Sequence, residues 1–134
     1  MTDPDKPYSA EGYALMGAAF EVHKEIGGGL AEEIYQQSLQ IELSLRSLPY
    51  LPKTLLEVYY KNHKLTTNYI PDLLVYSEIV TELKAVSALT PEHEAQLLNY
   101  MRIARKPVGY LINFGPIGKL EWKRFVLSEF LKKN

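Results

Sequence analysis

The sequence predicts a single α/β domain, with a central sheet flanked by helices. Three observations predict it. Two runs of helical apolar period fill the first third of the chain, strand-like alternation takes over from Thr54, and a well-marked helix start at Thr90 leads into a nearly continuous apolar strand. The order helix, helix, three strands, helix, strand, strand suits one sheet with helices packed on it. A chain of 134 residues suits one domain with one core.

Taken in order, "TDPDKP" within residues 1–8 reads as a flexible leader, and residues 9–134 as the domain. Ser9 stands where a cap belongs for a helix over about residues 10–26, whose Leu15, Ala18, Ala19, Val22 and Ile26 recur at helical spacing. "GGG" at 27–29 ends it, because three glycines do not hold a helix. A second helix is expected over about 30–46, with Leu30, Ile34, Leu39, Ile41 and Leu45 as its apolar stripe. "LPYLPK" (48–53) reads as a connector, since its two prolines break helix and sheet alike.

"TLLEVYYK", "KLTTNYIPDLLVY" and "IVTELKAV" then read as an antiparallel meander with turns at "NH" and "SE". Thr90 and Pro91 are a cap and first-turn pair for a helix to about Ala104. "VGYLINF" (108–114) reads as a strand buried on both faces, "GPIG" as a turn, and "LEWKRFVL" (120–127) as a further strand.

Composition narrows the chemistry. There are no cysteines, which removes disulfides and thiolate metal sites. No apolar run approaches the roughly 20 residues that span a bilayer, and the first residues show no signal-peptide pattern. A soluble, cytoplasmic protein without membrane contact is expected. Net charge is only −1, but it is unevenly spread. Residues 1–46 carry 3 basic and 8 acidic side chains, 47–99 carry 4 and 6, and 100–134 carry 8 and 2. The basic last quarter suits either a phosphate-facing patch or a solvated face with a lysine-rich tail.

One segment breaks strand patterning. "YIPDLLVYSEIVTELKAV" (69–86) sets Asp72, Glu82 and Lys84 among apolar residues. Glu82 and Lys84 share a strand face, because side chains alternate. Two carboxylates with the Leu83 carbonyl offer the all-oxygen ligands that Mg²⁺ or Mn²⁺ requires. A lysine beside them orients water or stabilises charge growing on a phosphate. Read from these residues alone, an acid–lysine ladder on a solvated strand serves equally well. The "GGG" stretch is no phosphate loop: it lacks the Gly-Lys-Ser/Thr ending and follows no strand.

"PD" followed ten residues later by "ELK" resembles the PD-(D/E)xK nuclease motif. "GLAEEIY" (29–35) matches Gly-x-x-Glu-x-x-Tyr, and "HEAQLLNY" (93–100), "LINFG" (111–115) and "KR" (123–124) follow in order. Over about residues 10–127 the chain resembles the bacterial GxxExxY protein family, a branch of the PD-(D/E)xK nuclease-like superfamily. The resemblance implies a restriction-endonuclease-like core: a mixed sheet, with the three-strand antiparallel meander plus further strands, between helices. It implies a Mg²⁺- or Mn²⁺-dependent nuclease acting on nucleic acid, with DNA preferred over RNA. Asp72, Glu82 and the Leu83 carbonyl would hold the metal, Glu32 would add a ligand from the second helix, Lys84 would position water, and Gln96 would assist. Tyr100 would pack on a nucleotide. Arg102, Arg105, Lys106, Lys123 and Arg124 are candidate phosphate contacts. Tyr35 is either a hydrogen bonder to the site or core. His93 and His23 are expected to be structural hydrogen bonders, and His63 a turn residue. Many relatives carry arginine where this chain has Ile70, two residues before the motif aspartate, so a phosphate contact is missing there.

The alternative is a non-catalytic, nuclease-like module that binds nucleic acid or a partner protein. A chain this small leaves little room for a sequence-reading domain, which favours an unspecific nuclease, a homodimer or a subunit. The strand register discriminates. A two-residue turn at Ser77 and Glu78 would pair Asp72 with Leu83 and send Glu82 to the other face, whereas a three-residue loop of Tyr76, Ser77 and Glu78 sets Asp72 opposite Glu82.

Overall fold

Helix α1 (Ser9–Ile26) is followed by α2 (Glu32–Leu45), β1 (Tyr50–Pro52), β2 (Leu56–Tyr60), β3 (His63–Tyr69), β4 (Leu73–Val75) and β5 (Ile79–Lys84). Helix α3 (Pro91–Ala104), β6 (Val108–Asn113), β7 (Glu121–Val126) and a 3₁₀ turn (Ser128–Phe130) follow among the described residues. The computed structural model describes residues 6–131. The expected leader therefore lies outside the described residues for positions 1–5. Its end is tied down, because the Pro7 carbonyl accepts from the Arg124 guanidinium. No helix among the described residues is long and apolar enough to cross a membrane.

The main sheet has five strands in the order β1-β4-β5-β6-β7. Its β5–β6 pair is parallel and joined through α3; the other pairs are antiparallel. The mixed sheet between helices is the expected fold class, but the meander is divided. β2 and β3 form a separate two-stranded sheet. Pro71, with no N–H to donate, falls between β3 and β4, where the chain leaves the hairpin for the main sheet. The expected connector at 48–53 supplies β1, which pairs with β4 from Tyr50↔Val75 to Pro52↔Leu73. Proline is tolerated there because β1 is an edge strand.

The two sheet faces bury different partners. Leu73, Val75, Ile79, Leu83 and Ile112 pack with Leu15, Leu39 and Leu43 of α1 and α2. Leu74, Val80 and Leu111 pack with Leu97 and Met101 of α3 and with Leu56 and Val58 of the hairpin. By alternation, Glu82 and Lys84 belong to the second face, with Val80.

The helix starts depart from expectation in two ways. α1 begins at Ser9 itself, with Tyr8 in the left-handed conformation (φ 56°) at the cap position and no side-chain cap. In α2 the buried residues are Tyr35, Gln36, Leu39 and Leu43, while Leu30, Ile34, Ile41 and Leu45 are exposed. One residue of phase turns a helix by about 100°, and Tyr35 sets that phase. Its hydroxyl donates to the Gly27 carbonyl (2.6 Å) and accepts from the Leu30 N–H (3.1 Å), and its ring stacks on Phe114 at 4.6 Å. Tyr35 is thus core and loop anchor rather than a site residue. Gly27 (φ 75°) and Gly29 (φ 85°) supply the left-handed backbone of the loop, and a Cβ at Gly28 would run into the Pro116 carbonyl.

His23 and His93 hold structural positions. His23 Nε2 meets the Pro116 carbonyl at 2.9 Å. His93 completes a capping box: Nδ1 accepts from the Thr90 N–H (3.1 Å), and Thr90 Oγ1 accepts from the His93 N–H (3.3 Å). The exposed His63, expected in the turn, instead opens β3 opposite Tyr60, and the turn falls at Lys61 (φ 48°) and Asn62 (φ 66°).

Tyr35→Phe keeps the ring stack and strips both loop hydrogen bonds. Leaving these backbone groups unpaired should cost about 1–3 kcal/mol. Urea unfolding at neutral pH checks this; an unchanged midpoint would show that the loop is held by other contacts.

Candidate active site

The site is built by the β4–β5 register. Val75 pairs with Ile79, Leu74 with Val80 and Leu73 with Thr81. The next step places Asp72 opposite Glu82, as the three-residue loop requires. That loop is possible because Tyr76 (φ 52°) and Ser77 (φ 66°) take left-handed backbone and the Tyr76 N–H is held by the Pro49 carbonyl (3.0 Å).

The two carboxylates interlock with the backbone. The Asp72 N–H donates to Glu82 Oε1 at 3.0 Å, and the Leu83 N–H donates to Asp72 Oδ2 at 2.7 Å. Tyr69 at the end of β3 donates its hydroxyl to Glu82 Oε2 at 2.7 Å. Lys53, beside β1, donates to Asp72 Oδ1 at 2.7 Å. The Asp72 carbonyl accepts from the Lys53 N–H (3.2 Å) and from buried Gln36 (2.9 Å).

Electrostatics follow from this crowding. Burial and then the Asp72 charge push the Glu82 carboxyl up from 4.5 to about 7. Burial, followed by the Glu82 charge, raises the Tyr69 phenol, so it stays a donor. The hydrogen bond to Asp72 raises the Lys53 ammonium. Glu32, the first residue of α2, is raised by partial burial and then by Asp72, and the Lys84 charge opposes this. Glu32, Asp72, Glu82 and Lys84 therefore share one electrostatic neighbourhood.

Other expected site residues lie elsewhere. Gln96 is exposed on α3, and among the described residues no hydrogen bond joins it to the carboxylates. Tyr100 stacks on Tyr69 (4.1 Å, 13° between planes), so it supports the Glu82 donor. Several basic residues have partners within the protein. Arg102 bonds Asn99 (3.0 Å), while Arg105 bonds Asn62 (2.6 Å) and lies over the Tyr59 ring. Lys106 reaches the Ser77 carbonyl, Lys123 pairs with Glu94 (3.1 Å), and half-buried Arg124 bonds Tyr110 as well as Pro7. Lys53, Gln36 and Tyr69 escaped the sequence reading. They lie 19, 36 and 3 positions from Asp72 and carry no motif of their own; only Tyr69 had a signal, as a tyrosine at the end of a strand leading to the motif.

The sequence model of the PD-(D/E)XK nuclease superfamily matches residues 9–125. The chain belongs to that superfamily. A search of curated proteins gives no match. Among solved structures, the crystal structure of SSO0001 aligns with a TM-score of 0.53 at 17% identity, covering 89% of this chain and 59% of that one. The protein thus spans about three-fifths of that neighbour's length, and the likeness is one of fold.

The donor set fits a divalent cation: two half-buried carboxylates on adjacent strands set their negative charges side by side, and an added positive charge relieves that repulsion. Among the described residues no cluster of three or more His, Asp or Glu side chains is poised to hold a metal. A cation here would rest on two carboxylates with carbonyl and water oxygens, the low protein ligand count that Mg²⁺ favours.

The Glu82 shift makes the metal-free protein pH-sensitive. Because its folded pKa lies above the unfolded value of 4.5, the native state binds the proton more tightly. That stabilisation is complete below about pH 4.5 and is lost as pH rises through about 7. Glu82→Gln should flatten the decline across this window by about 3 kcal/mol. Urea unfolding at several pH values, without divalent metal, reads it; parallel profiles for the two proteins would contradict it.

Proposed function

We propose that this PD-(D/E)XK superfamily member is a Mg²⁺- or Mn²⁺-dependent nuclease that hydrolyses phosphodiester bonds of nucleic acid, with DNA as the preferred substrate. The observation that carries the reading is the convergence of Asp72 and Glu82, with Lys84 on the same strand face as Glu82. The GxxExxY assignment is part of the proposal and has a physical rationale. Gly29 takes a left-handed turn, Tyr35 pins the loop, and Glu32 emerges at the start of α2 within electrostatic reach of Asp72.

Asp72 and Glu82 would hold the cation, with the Leu83 carbonyl in support and Glu32 at the rim. When bound, the cation would neutralise phosphate charge and make water more acidic. Lys84 would orient the attacking water and stabilise charge building on the phosphate. Tyr69 and the Asp72 N–H fix the Glu82 carboxylate, so its oxygens need not reorganise. Gln96 and the exposed Arg102 would act from the α3 side, on substrate rather than on the carboxylates.

Plasmid, single-stranded DNA and RNA, incubated with Mg²⁺ or Mn²⁺, test the proposal. Cleavage is expected, and Asp72→Ala should lower its rate by about 100-fold or more. Glu82→Gln, which removes the charge but keeps an acceptor for the Asp72 N–H, should abolish Mn²⁺ heats in calorimetry while leaving the metal-free protein at least as stable at neutral pH, since it relieves repulsion between the carboxylates. Nucleic-acid binding without cleavage in any metal would instead identify a nuclease-like binding module.

A further inference from the structure

Of the four carboxylate oxygens of Asp72 and Glu82, three take fixed donors. Asp72 Oδ2 takes the Leu83 N–H, Glu82 Oε1 takes the Asp72 N–H, and Glu82 Oε2 takes the Tyr69 hydroxyl. The fourth, Asp72 Oδ1, takes the Lys53 ammonium at 2.7 Å. The two partners differ in exposure: the Lys53 side chain is 53% exposed, and that of Asp72 only 16%. The ammonium can leave for water at small cost, whereas the carboxylate cannot. The Lys53 backbone, by contrast, is held. It sits in the left-handed region (φ 51°), its N–H donates to the Asp72 carbonyl, and the preceding Pro52 pairs with Leu73.

We infer that Lys53 is a resident counter-ion of the carboxylate pair, which a divalent cation must displace from Asp72 Oδ1 in order to bind. The inference rests on the proposed metal site and adds its regulation. Cation entry is an exchange: an ammonium that neutralises the pair in the metal-free protein is released to the mouth of the site. There it becomes a mobile positive charge in reach of a phosphate. Binding is correspondingly weaker than the carboxylates alone would give, because two cations compete for one oxygen. Lys53 is a positioning residue in this scheme, distinct from Lys84 on the strand.

Mn²⁺ calorimetry on the wild type, Lys53→Gln, Lys53→Arg and Asp72→Ala proteins tests the exchange. It is paired with the rate at which an amine reagent labels Lys53, read by mass spectrometry with and without Mn²⁺. Lys53→Gln should tighten Mn²⁺ binding by about 5-fold or more, and Lys53→Arg, which keeps the charge, should not. Mn²⁺ should speed Lys53 labelling in the wild type. Heats seen only in Lys53→Gln would also support the exchange, as an ammonium that shuts the cation out. Wild-type heats that vanish in Asp72→Ala but are unchanged in Lys53→Gln, with constant labelling, would overturn the exchange and leave the metal site standing. No heat in either the wild type or Lys53→Gln would overturn both.

Discussion

The structure turns on a single offset between two strands. Because Val75 pairs with Ile79, two acids separated by ten residues face each other across β4 and β5. A slip of one residue would send Glu82 into the α1–α2 core and bring Leu83 to the site. The offset is over-determined. Tyr76 and Ser77 accept left-handed backbone in the turn, and Pro49 fixes the Tyr76 N–H from the neighbouring segment. At the far end, Asp72 and Glu82 themselves close the ladder, the backbone of one bonding the side chain of the other. The acids are thus part of the pairing that positions them.

The remaining elements serve to hold this pair against its own repulsion. The hairpin of β2 and β3 looks dispensable as a two-stranded sheet, yet it ends in Tyr69, whose hydroxyl bonds Glu82 and whose ring is covered by Tyr100 of α3. Helix α2 approaches from the other side of the strand. Gln36 takes the Asp72 carbonyl, and Glu32 stands one turn earlier. Its phase depends on Tyr35 and the glycine loop, so a tyrosine that does not reach the carboxylates still decides where Glu32 emerges.

Much of this was legible in the sequence, for definite reasons. The ten-residue spacing of "PD" and "ELK" allowed two registers, and the need for both acids to share one face selected the three-residue loop that the Val75–Ile79 pair shows. The capping box at Thr90 is local, so its helix start was readable even though His93 stands where Glu or Gln usually does. The phase of α2 was not readable, because Ile34, Ile41 and Leu45 form an apolar stripe as convincing as Tyr35, Leu39 and Leu43. The choice fell to a stack on Phe114, which is remote in sequence. β1 was hidden by two prolines, which edge pairing tolerates. The basic last quarter was visible as a count, but counting gives no partners. Lys123 and Arg124 are tied to Glu94, Tyr110 and Pro7, groups on other elements.

The arrangement carries a thermodynamic tension that fits a cation site better than a structural ion pair. A fold selecting only for stability would replace one of two facing, half-buried carboxylates with a neutral side chain, because desolvation and like charge both oppose ionisation. Here three backbone or phenolic donors and one lysine offset the cost only in part, and Glu82 still holds its proton up to about pH 7. Groups kept in that condition have latent affinity: positive charge delivered to them removes the repulsion and completes the desolvated ligands in one event. The lysine that fills this place in the free protein sits on an exposed, flexible stem, whereas the donors to the other three oxygens are backbone N–H groups or a buried phenol. Three oxygens are fixed, and the fourth is left exchangeable. That division is what the proposed cation exchange requires.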